Sequence, residues 1–118
     1  MDENRYNLIK KRYNYLYNGK KYISIIKYGL LDDLKEFILN TPEFEIIEIS
    51  SKYRDKKGRT ALHWACIFGK YDIVDYLVNS GYDILGLDYC GNTPFWYAVF
   101  KRRKLVVNYL IDRLHINL

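Results

Sequence analysis

Apolar residues recur mostly at spacings of three and four, so the pattern predicts helices along most of the chain. Tyr6, Ile9, Tyr13 and Leu16 form one stripe of an amphipathic helix in the segment Asn4 to Tyr17, with Lys10, Lys11 and Arg12 largely off it. Gly19 is placed to end that helix. Ile23, Ile25 and Ile26 then precede a turn at Gly29, and Leu34, Phe37 and Ile38 resume helical spacing until Pro42 disfavours helix at Thr41. From Glu43 to Ile49 acidic and apolar residues nearly alternate, which predicts an extended, strand-like piece. Further on, Leu62, Ala65 and Cys66 share one face. After Gly69, Ile73, Val74, Leu77 and Val78 share another, and Gly81 suits a left-handed cap. Val106, Val107, Leu110 and Ile111 supply the last apolar side.

The stretch from Asp55 to Ser80 also recurs. Sliding it by 33 residues superposes Asp55 on Asp88, Gly58 on Gly91, Thr60 on Thr93, Ala65 on Ala98 and Leu77 on Leu110. A period of that length means stacked units that bury their apolar sides against one another. The order of features resembles the ankyrin repeat: a turn with Asp and Gly, a tetrapeptide (Thr60-Ala61-Leu62-His63, then Thr93-Pro94-Phe95-Trp96), a short helix, a glycine turn and an apolar second helix. The resemblance implies an all-α ankyrin-repeat helical solenoid with short turn or hairpin tips and an extra N-terminal helix. It divides the single domain, residues 1–118, into an N-terminal capping helix (1–19), a degenerate first repeat with an insertion (20–54), a central repeat (55–87) and a C-terminal repeat (88–118).

Within that frame Gly29 matches Gly69 at an offset of 40, so seven extra residues fall between Asn40 and Asp55. The insertion reads either as a loop on the binding face or as a longer connection whose Phe44, Ile46 and Ile49 cover the first repeat's core edge. The N-terminal helix reads as a cap packing on the first repeat, with a basic partner-binding helix as the alternative. In the family the tetrapeptide histidine is structural, which assigns His63 to scaffold. The last unit departs twice from the pattern, with Trp96 in place of that histidine and Arg102 in place of the turn glycine.

Composition narrows the function. The chain has 118 residues, 49% hydrophobic and 28% charged, with a net charge of +5, which fits a globular domain attracted to acidic surfaces. Met1-Asp2-Glu3-Asn4 begins no basic-then-apolar run and no apolar stretch approaches membrane-spanning length, so an intracellular, cytoplasmic protein is expected, in the host cell if the source is viral. Cys66 and Cys90 have no metal-ligand spacing, and no phosphate loop, metalloprotease pair or nucleophile elbow occurs. No enzyme activity, cofactor or small-molecule substrate is expected.

Binding remains. The resemblance implies contacts at the turn tips and on the exposed side of the first helices: Tyr28, Lys56, Lys57, Arg59, Ile67, Phe68, Tyr89, Asn92, Phe100 and Lys101. The expected partner is another protein with an acidic or mixed-charge surface, not a membrane. The context GNTPFWYAVF is similar to small bacterial ankyrin-repeat immunity proteins that inhibit a toxin encoded beside them. A viral or parasite protein capturing a host factor is the alternative. Nucleic-acid binding through Lys101-Arg102-Arg103-Lys104 is the lesser reading, since no recognition motif accompanies the charges.

Overall fold

The computed structural model describes residues 3–115; the expectations for Met1, Asp2 and the last three residues, including the chain's end at Leu118, lie outside it. Among the described residues seven helices follow one another: α1 (Glu3–Tyr28), α2 (Leu31–Asn40), α3 (Glu43–Lys52), α4 (Ala61–Phe68), α5 (Tyr71–Asn79), α6 (Pro94–Phe100) and α7 (Lys104–Leu114). Among the described residues there is no strand. Helices α1, α4 and α6 form one layer, with α4 packed against both of its neighbours. Helices α2, α5 and α7 pair with them in turn as a second layer. The result is an elongated stack of 59 × 30 × 22 Å. Its core follows the sequence pattern: Ile26, Leu34, Leu62, Leu77, Ala98 and Leu110 are all inaccessible to solvent or nearly so. None of the described helices is long and apolar enough to cross a membrane.

Two local expectations are corrected. Gly19 does not end a helix, because α1 runs unbroken for 26 residues, roughly 39 Å, from the N-terminal segment into the first repeat. The reason is packing. Gly19 is buried, and a Cβ there would overlap the Tyr53 ring, so the glycine admits an aromatic side chain against the helix backbone. Consequently the segment 3–19 does not fold back as a separate cap, and Tyr6, Ile9, Tyr13 and Leu16 stay 41% to 65% exposed.

The second correction concerns the insertion, which is helical where extended chain was expected. Pro42 stands at the N-cap of α3 with φ −52°, and Glu43 and Glu45 occupy the first turn, where the helix dipole favours carboxylates. Ile46, Ile49 and Tyr53 then recur at three and four, a helical face hidden inside an apparently alternating string. Ile49 is buried, Tyr53 meets Tyr15 edge-on, and Asn18 donates to Glu45, so α3 clamps the middle of α1. Phe44 remains exposed, beneath the Lys11 ammonium.

Candidate functional site

The turn tips are built by two aspartates 33 residues apart. Asp55 Oδ1 accepts the backbone N–H groups of Lys57 and Arg59, and Asp88 Oδ1 accepts those of Cys90 and Asn92. The carboxylate thereby organises the loop backbone that would otherwise lack partners. Gly58 and Gly91 adopt left-handed φ angles of 73° and 79° to close each loop. The tips are joined where Tyr89 N–H donates to the Lys57 carbonyl (2.9 Å), and the Tyr89 ring lies flush on Gly58, which leaves no room for a Cβ.

The second oxygen of each aspartate reaches down to the first helix. Trp64 Nε1 donates to Asp55 Oδ2 at 2.7 Å, and Tyr97 OH donates to Asp88 Oδ2 at 2.5 Å. Burial of Asp88 raises its pKa, but the hydrogen bonds from Tyr97, Asn92 and Cys90 outweigh it and hold the carboxyl below its ordinary range. Between the two clasps lies Arg59. Its guanidinium sits 4.9 Å from both the Trp64 and Tyr97 rings and donates to Tyr97 OH, and Nε is 3.6 Å from Asp88 Oδ2. Stacking and charge pairing together suit arginine, not lysine, to this place.

His63 ties the same two repeats. The Thr60 N–H donates to Nδ1, so Nε2 carries the proton and donates to the Asn92 carbonyl at 3.1 Å. Burial lowers the His63 pKa against the opposing pull of Asn92 and Asp88 and keeps the ring neutral. At the equivalent place Trp96 is half-exposed and stacks face to face on Phe100.

These contacts redistribute the candidate residues. Ile67 is buried, 9% exposed, and its carbonyl accepts Arg103 Nε, which removes it from the surface. Arg59 and Asn92 are half-buried and engaged between repeats. Lys56, Lys57, Tyr89, Phe100 and Lys101 are exposed, and so is Tyr28. Phe68 is half-buried, edge-on to both Tyr28 and Trp64. The basic run 101–104 is split: Lys101 lies over Phe100, Arg102 takes a left-handed turn, and the exposed Arg103 reaches back to the Ile67 carbonyl.

Three aromatic residues join the row without having been singled out as contacts. From Tyr28 the rings run through Phe68 and Trp64, across Arg59 to Tyr97, then to Trp96 and Phe100. Lys27 stands 3.8 Å above Trp64. The signal for Trp64 and Tyr97 was present, since each follows its tip aspartate by nine residues; a residue type that changes between units conceals the shared donor role.

Paired helices in register, with tips and first helices on one face, define a repeat-built scaffold. The chain belongs to the ankyrin-repeat family: the family model "Ankyrin repeats (3 copies)" matches residues 23–118. Among similar proteins, rat (Rattus norvegicus) 26S proteasome non-ATPase regulatory subunit 10 is 36% identical over 81 residues, covering 69% of this chain and 28% of that protein. Putative ankyrin repeat protein FPV022 of Fowlpox virus (strain NVSL) is 32% identical over 81 residues, covering 66% of this chain and 14% of that protein. Serine/threonine-protein kinase 12 of Arabidopsis thaliana is 30% identical over 92 residues, covering 78% of this chain and 18% of that protein. The chain thus spans less than a third of these relatives' lengths. As a domain of this family it is a protein-protein interaction module.

Proposed function

We propose that this domain captures one partner protein on the face formed by its tips and first helices, and acts by blocking or redirecting that partner without catalysis of its own. The observation that carries this reading is the row of aromatic rings from Tyr28 to Phe100, bridged by the Arg59 guanidinium between Trp64 and the buried Tyr97, with Lys27 and Lys101 over two of its rings and Lys56 and Lys57 at the tip. The two ends of the row, Tyr28 and Trp96 with Phe100, are exposed; aromatic side chains are enriched among the groups that dominate interface energetics, and their loss costs about 2 kcal/mol or more at a centre. The cations favour a partner with an acidic or mixed surface. Lys56, Lys57, Tyr89, Phe100 and Lys101 are the contacts, with Tyr28 and Phe68 at the other end of the row.

The test is a pull-down from source cells with the whole chain and a Phe100→Ala, Lys57→Ala, Tyr89→Ala variant. These side chains are exposed, so the variant retains the fold, checked by circular dichroism. A partner held by the wild type is expected to be lost; equal capture by both refutes the face. The identity of the captured protein separates the two finer roles. An immunity protein would retain the toxin encoded beside it, the role favoured by the GNTPFWYAVF context. A viral capture protein would retain a host protein, the role favoured by the likeness to the fowlpox virus protein.

A further inference from the structure

We infer that the N-terminal half of α1 is a second docking surface, one that receives an acidic amphipathic helix of a partner protein. Tyr6, Ile9, Tyr13 and Leu16 alternate spacings of three and four, the interval of a coiled-coil seam, and all four are exposed. Continued in the same register, the seam passes Lys20 and arrives at Ile23, which is buried in the core where α4 packs on α1. The seam is therefore filled by a helix at its C-terminal end and bare for roughly three turns at its N-terminal end. Tyr17 broadens the bare part, stacked on Tyr13 at 6.2 Å. The opposite side of α1 is already taken by α3, through Tyr15, Asn18 and Gly19.

Charge chooses the occupant. Helix α1 carries seven lysines and arginines against one carboxylate, Glu3. Lys10 and Arg12 border the seam on its two sides, at positions that set partner choice in helix pairs. A second copy of this chain would bring the same cations against them in either orientation, which opposes association. A helix with apolar residues on its seam and glutamates or aspartates beside it meets both features at once. Of the nearby acids of α3, Glu45 accepts from Asn18 on the far side of α1 and Glu48 pairs with Lys52.

The probe is a synthetic helix of roughly three heptads, with leucine at the seam and glutamate at the flanking positions, titrated into the whole chain by fluorescence anisotropy. Binding is expected, weakening as salt rises from about 0.05 to about 0.5 M. Ile9→Ser with Tyr13→Ser is expected to weaken it by about tenfold or more. Lys10→Glu with Arg12→Glu is expected to abolish it while leaving the thermal melt in place. The Phe100→Ala, Lys57→Ala, Tyr89→Ala variant keeps full affinity for the peptide, which separates this surface from the ring-lined face. No binding of the glutamate-flanked peptide, or equal binding of a lysine-flanked one, overturns the proposal. So does stripe-dependent self-association in sedimentation, or stripe-dependent retention on phosphatidylserine vesicles without peptide binding.

Discussion

His63 is a neutral ring in a buried place, and its protonation is a question of stability. The unfolded chain takes up a proton near pH 6.5, while burial keeps the folded ring below that value. Between the two values the unfolded state binds more protons, so stability is full above pH 6.5 and declines as pH falls below it. Urea midpoints at about pH 7.5 and 5.5 are expected to show this decline, and His63→Gln to flatten it. Asp88 acts in a separate, more acidic window. Its depressed pKa contributes stability that is present above its ordinary value of 3.8 and is lost as pH falls through the folded one. Arg102 offers the opposite kind of test. It sits at φ 57° where the central repeat has Gly69 at 66°, so Arg102→Gly is expected to stabilise the fold by about 1 kcal/mol, read from the same urea curves.

Among elements, the second helices are moored by a device that repeats. Lys70, at the start of α5, reaches the Gly29 carbonyl (2.8 Å), and Arg103, at the start of α7, reaches the Ile67 carbonyl (3.0 Å). Each basic side chain meets the carboxyl end of the preceding repeat's first helix, where unpaired carbonyls favour a cation. Lys70→Met is expected to cost about 1 kcal/mol in thermal or urea melts. In α1 the expected result inverts helix propensity: Gly19→Ala lowers stability by about 1–3 kcal/mol, because the methyl displaces Tyr53.

Gly19 also shows where sequence reading stops. The 33-residue period, the tip aspartates, the inward faces of α4, α5 and α7 and the left-handed turn at Arg102 were all legible, because each is a local pattern with a local cause. The continuous α1 was not, since the glycine's role depends on Tyr53, 34 residues away. Helix α3 was missed because a short amphipathic helix beginning Glu-Phe-Glu imitates alternation over its first turn. The site followed the same division. Exposed tip lysines were readable from the repeat frame, while the burial of Arg59 follows from two rings contributed by different repeats.

At the scale of the molecule, stability is a sum of units and their contacts, and α4 alone touches a first-layer neighbour on both sides. Amide exchange is therefore expected to be slowest in α4 and fastest in residues 3–12, which face solvent almost all round. The two tryptophans report on different places, Trp64 half-buried beneath Lys27 and Trp96 stacked on Phe100 in the last described repeat. Partner binding on the ring-lined face is expected to shift their emission, whereas occupation of the N-terminal seam leaves it unchanged.

The unbroken α1 has a mechanical consequence. A force that reaches the clamped middle of α1 travels along one unbroken helix to Ile23 and Ile26, whose side chains are packed in the core beside α4. The arm beyond Gly19 is thus joined to the interior of the stack without a hinge, with the Tyr53 ring resting on Gly19 between the two.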